Sequence, residues 1–173
     1  YKLTAQLDSG RGVYTFCMCP GGYVVNASSE EGFLAVNGMS YHGRAGDNAN
    51  SAVIVTVTRE DYGADHPLAG MEFQRKLEKR AWEEGKGKIP VQRFDDFCYG
   101  RLTHDFGKVV PNIKGSYTFG NLRNLFPGEL AGSLEEGIRA MGKKLPGFDD
   151  KDTVLSGVDR KSTRLNSSHQ KIS

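Results

Sequence analysis

The spacing of apolar and polar positions changes period part-way along the chain. In the first third the apolar runs are short and strand-like. Residues 13–19 and 23–27 read as two strands, and Pro20-Gly21-Gly22 between them is a turn signal, so a hairpin is expected there. Residues 34–37 suggest a third strand, and the glycine-rich stretch 38–50 reads as loop. Residues 52–58 are almost wholly β-branched, which predicts a strand buried on both faces.

Beyond His66 the period becomes helical. Pro67 suits the first turn of a helix predicted over about 67–84, with Leu68, Met71, Leu77 and Ala81 on one face and Phe73 and Trp82 beside it. Glu72 and Lys76 have the favourable i,i+4 spacing, and Gly85-Lys-Gly87 marks the stop. A short helix is expected within 91–103 around Phe94, Phe97 and Leu102, followed by loop from 107 to 117. A second long helix is predicted over about 133–145. Its stripe is Leu134, Ile138, Met141 and Leu145, and Ser133 with Glu136 would form a capping box. Strands first and helices after predict an α+β fold, with a small antiparallel or mixed sheet from the N-terminal half. No Gly-x-Gly-x-x-Gly follows a strand, and no Gly-x-x-x-x-Gly-Lys-Ser/Thr occurs, so neither a dinucleotide fingerprint nor a P-loop is present.

The chain of 173 residues is long enough for one domain with a core, and no apolar run approaches the ~20 residues that span a bilayer. Three cysteines, an odd number, argue against a disulfide framework and for a reducing, cytoplasmic setting. There is no initiator Met, so the chain is expected to begin inside a longer protein. The closing string from Asp159 resembles one reading frame of a common sequencing adapter. Residues 1–158 are therefore taken as the natural portion, and 159–173 as disordered read-through. That tail holds four basic residues and one acid, so without it the net charge moves from +2 to −1. The basicity is then no argument for a nucleic-acid partner, and no membrane partner is expected either.

Three groups could carry chemistry. Cys17 and Cys19 are two apart on a predicted strand, which places both on one face. They could be a redox pair, half a metal site, a nucleophile with a spare, or small buried apolar groups. A metal needs about four ligands, and no second close pair is present, so none is expected. His42 could act as a general acid or base or be a solvated loop residue, while Arg44 could meet a phosphate or a carboxylate. Asn48, Asn50 and Ser51 suit hydrogen bonding to a flavin edge or a phosphate, and equally a turn that satisfies its own backbone.

Taken together, Val13-Tyr-Thr-Phe-Cys-Met-Cys-Pro-Gly-Gly22, Asn37-Gly-Met-Ser-Tyr-His42 and Asn48-Ala-Asn-Ser51 resemble a bacterial family of FAD-dependent dehydrogenases, uncharacterised flavoproteins. Pro67-Leu-Ala-Gly70, Pro90-Val-Gln92 and Leu145-Pro-Gly-Phe148 extend the resemblance over residues 3–158. It implies a middle, substrate-domain portion that covers a flavin, with the FAD-binding Rossmann portion of the same chain missing and the fragment inactive alone. It also implies Cys17, Cys19 and His42 on the flavin or substrate side, and Ser40, Tyr41, Asn48, Asn50 and Ser51 near the cofactor. It assigns no catalytic base and no particular small-molecule substrate. Two other functions fit the residues: a non-catalytic ligand- or protein-binding module, and a flavin-independent thiol enzyme using Cys17 or Cys19.

Overall fold

The computed structural model describes residues 2–63, 65–159 and 164–170. Its strands are β1 (Thr4–Gln6), β2 (Gly12–Cys19), β3 (Gly22–Asn26), β4 (Val36–Ser40), β5 (Asn48–Val55), β6 (Ile89–Arg93), β7 (Ile113–Lys114), β8 (Tyr117–Phe119), β9 (Val154–Gly157) and β10 (Arg164–Gln170). Its helices are α1 (Arg59–Tyr62), α2 (Ala69–Gly85), α3 (Phe94–Tyr99) and α4 (Gly128–Gly142). Seven strands form one sheet in the order β1-β2-β5-β10-β9-β6-β8, and three form a second in the order β4-β3-β7. The fold is α+β, as the order of elements predicts.

The expected hairpin does not form. β2 pairs with β1 and β5 in the large sheet, whereas β3 pairs with β4 and β7 in the small one. Pro20-Gly21-Gly22 carries the chain from one sheet to the other instead of folding it back. The third strand starts two residues later than predicted and reaches Ser40, and the loop shrinks because Asn48 already belongs to β5. β5 is buried along nearly its whole length, as its β-branched run requires.

Helix α2 buries Ala69, Phe73, Leu77, Ala81 and Gly85, a strict i,i+4 ridge. Leu68 and Met71, placed on the inner face from sequence, are exposed instead. Glu72 meets His66 at 3.3 Å rather than Lys76. Helix α4 starts five residues before the predicted boundary, so Ser133 is no cap. Its hydroxyl donates to the Glu129 carbonyl one turn back, inside the helix. Leu134, Ile138 and Met141 do face the core, and Leu145 lies beyond the helix end. Phe94 and Phe97 of α3 are fully buried while Leu102 is exposed. β9 is a strand that the sequence reading missed.

Residues 164–170 form β10, paired with both β5 and β9. Asp159 is itself buried and bridged to Val36.

Two contacts fix how layers meet. At Gly137 of α4 an added Cβ would lie 2.5 Å from the Val13 side chain, so the helix rests directly on β2. Arg11, just before β2, grips Asp61 of α1 through two bonds of 2.7 Å, and Asp61 also accepts from the Thr58 amide at 2.7 Å. The Arg11 guanidinium outweighs burial and holds the Asp61 carboxyl below its ordinary range.

Gly137→Val should overpack this contact at a cost of about 2 kcal/mol or more. The thermal midpoint should fall by about 4–8 °C; an unchanged midpoint would show that the two layers can part. A carboxyl lowered in the folded state stabilises fully above its unfolded value of about 3.9 and loses that contribution as pH falls below it. The urea midpoint of the wild type should therefore exceed that of Asp61→Asn by a constant margin above about pH 5, and the margin should shrink toward pH 3. A margin independent of pH would rule out the ionised pair.

Candidate functional site

The two sheets meet at one end of the large sheet, where β2 leaves and β5 enters. This end gathers most of the groups singled out from sequence. Its construction depends on bare backbone. A side chain at Gly21 would run into the Arg44 carbonyl, and one at Gly22 into the Met39 carbonyl and the Asn50 amide. Asn50 then ties the layers together: its Nδ2 donates to the Met39 carbonyl at 3.1 Å and the Tyr23 carbonyl at 3.4 Å. Ser40 donates its hydroxyl to the Pro20 carbonyl at 3.1 Å. Tyr41 packs against Tyr23 with centroids 4.5 Å apart and the rings tilted by 44°, and Lys114 Nζ sits 3.9 Å from the Tyr23 ring centre and 4.8 Å from that of Tyr41.

The thiols lie on a distorted edge. The register between β2 and β5 shifts between Phe16 and Cys19, and Cys17 adopts φ 50°, a left-handed conformation that costs a non-glycine residue energy. Strict alternation is broken there, so the same-face expectation for a regular strand does not describe the pair. Cys17 is exposed, Cys19 is half-buried, and neither is in a disulfide. Burial raises the Cys19 thiol, a nearby Cys17 thiolate raises it further, and the Arg44 cation opposes both. Arg44 also has a left-handed backbone, with φ 49°. His42 is exposed in the turn just before it.

Of the residues expected near a cofactor, three are occupied inside the fold. Asn48 is 7% exposed and donates to the Val110 carbonyl at 2.6 Å. Ser51 is 1% exposed and donates to the Ala52 carbonyl. Asn50 is 3% exposed and spends its amide N–H groups on the sheet junction. Ser40 and Tyr41 are exposed. These five therefore present only the Ser40 and Tyr41 side chains to solvent.

One electrostatic feature was invisible in sequence. Among the described residues, two buried side-chain atoms have no hydrogen-bond partner, Asn50 Oδ1 and Arg93 Nε. Their residues share a register row: Cys19 opposes Asn50, Asn50 opposes position 168, that position opposes Val154, and Val154 opposes Arg93. Leaving such an atom unsatisfied costs roughly 1–3 kcal/mol. Both costs therefore fall on the row that also holds Cys19. Arg93 is otherwise held by Asp152 at 2.9 Å. Arg93, Lys114 and the carbonyls of Tyr23, Met39 and Val110 had no sequence signal, because their partners lie far away along the chain.

Residues 1–162 match the family described as FAD-dependent protein, C-terminal domain-like. The chain belongs to that family. It is also similar to an uncharacterized protein of Clostridium beijerinckii, 46% identical over 172 residues, an alignment covering 96% of this chain. The chain spans 32% of that protein's length. The match to this FAD-dependent family ends before β10 begins.

Elsewhere, Cys98 of α3 is pushed up to about 11 by burial and by Glu135. That keeps Cys98 in the thiol form, whereas the thiolate is the form that reacts. Under limiting iodoacetamide, Cys17 should be modified first, Cys19 later and Cys98 last, as read by peptide mass spectrometry. Early labelling of Cys98 would contradict this arrangement.

Proposed function

We propose that this chain is the substrate-domain portion of an FAD-dependent oxidoreductase, a dehydrogenase, whose FAD is held by another portion of a longer protein. The observation that supports it most is membership of an FAD-dependent family across residues 1–162, in a chain spanning only 32% of its relative. When bound, FAD supplies hydride or electron transfer.

The exposed end of the sheet junction is the surface this portion would turn toward the flavin-bearing part. It offers apolar cover from Phe16, Met39 and Tyr41, each more than a third exposed, beside Cys17, His42 and Arg44. Such a patch excludes water when covered. Arg44 carries a fixed positive charge able to orient an anionic substrate group, and His42 presents an imidazole beside it. The strained Cys17 backbone and the unpaired Asn50 carbonyl oxygen also lie at this end, where strain and unsatisfied polar groups commonly accompany function.

The longer protein should purify with FAD, visible as a flavin absorbance spectrum, whereas this chain alone should bind none. A colourless longer protein that cannot be reconstituted with added FAD would refute the reading. So would tight FAD binding by this chain alone, because the cofactor would then not depend on the rest.

A further inference from the structure

β10 lies in the middle of the large sheet, yet its sequence is not that of a middle strand. Both of its neighbours are buried, β5 at every position from Asn50 to Val55 and β9 at all four of its residues. β5 is covered from both sides. Val55 opposes Val13, the residue on which α4 rests, while Asn50, five positions away and so on the other face, turns to β3 and β4. A strand between such neighbours is expected to be a near-continuous apolar run. Residues 164–170 read Arg-Leu-Asn-Ser-Ser-His-Gln, with one apolar residue and no β-branched one. β5, by contrast, ends on Ala-Val-Ile-Val, and β9 opens on Val-Leu. β10 is zipped to β5 from Arg164 opposite Ile54 to Gln170 opposite Asn48, and to β9 from Leu165 opposite Gly157 to Ser168 opposite Val154. A ladder without a matching side-chain pattern specifies its register and its occupant only weakly.

We propose that the place of β10 is a strand-acceptor site. In the longer protein it takes an extended apolar segment, rich in β-branched residues, from that protein's own chain outside residues 1–162. The facing edges of β5 and β9 supply the main-chain hydrogen bonds. The row partners Ala52, Val53, Val154 and Leu155 supply apolar contact, with the small Ser51 and Ser156 between them. The family match ends at residue 162, before the slot is filled, and this chain spans 32% of its relative's length, so most of such a protein lies outside it and can provide the segment. The slot shares with the reading above only the longer protein. It needs no FAD, so a colourless longer protein leaves it standing and a yellow one does not establish it.

Two measurements test the slot. In this chain, Asn166→Val, Ser167→Ile and Ser168→Val together should raise the thermal midpoint by about 4 °C or more. An unchanged or lower midpoint overturns the proposal. Separately, Ser167→Pro removes a ladder N–H and opens the slot. The opened chain should bind a fluorescein-labelled peptide, Lys-Arg-Leu-Val-Ile-Val-His-Gln-Lys, at least about tenfold more tightly than the same peptide with Asn-Ser-Ser in place of Val-Ile-Val, as read by anisotropy. The longer protein, with its slot filled, should bind the apolar peptide at least about tenfold more weakly than the opened chain does. No binding by a folded Ser167→Pro chain, equal binding of the two peptides, or equal binding by the longer protein each overturns the proposal. If Ser167→Pro does not fold, the midpoint of the triple variant decides alone.

Discussion

Everything at the junction of the two sheets depends on one close crossing. Gly21 and Gly22 pass a neighbouring loop and β4 at distances that only bare backbone permits, and the Asn50 amide fills the space with two donated hydrogen bonds. The two carbonyls that accept these bonds, of Tyr23 and Met39, lie on the neighbouring strands β3 and β4 of the small sheet. One side-chain amide on β5 meets both. The same crossing sets where β2 must release its partner, and hence where the strand becomes irregular at Cys17. The thiols, the tilted tyrosine pair and the Arg44 loop are placed by that junction.

Much of the architecture could be read from the amino acids, for identifiable reasons. β5 declares itself through consecutive β-branched residues, and α2 and α4 through repeating apolar ridges. Their boundaries were misjudged where a plausible local signal competed with packing. Ser133 and Glu136 have capping spacing, but Leu130 and Ala131 are both fully buried, and that burial draws the helix start back to Gly128. Pro20-Gly21-Gly22 has turn chemistry, yet the turn serves a change of sheet, which no local pattern distinguishes from a hairpin. β9 is too short, at four residues, to show a period.

The candidate site was half visible for a related reason. Reactive residue types can be recognised singly, and Cys17, Cys19, His42 and Arg44 do lie at one end. Whether an amide is available to a ligand depends on what it already holds. Asn48 is spent on the carbonyl of Val110, sixty-two residues away, and Asn50 on carbonyls of β3 and β4. Such long-range partners leave no trace in spacing. Membership of an FAD-dependent family narrows the chemistry where local geometry alone leaves thiol, acid–base and binding roles open.

The position of β10 carries a mechanical consequence. Remove its ladder and the seven-stranded sheet becomes two three-stranded ones, β1-β2-β5 and β9-β6-β8, with no ladder between them among the described residues. Load passing through the sheet from the thiol-bearing side to the Arg93 side must cross residues 164–170, beyond the family match. Backbone ladders transmit such load without regard to side-chain identity. Within the sheet, the two halves are therefore joined through one extended segment, while outside it the shared core and the bond from the Val36 amide to the Val158 carbonyl also connect them.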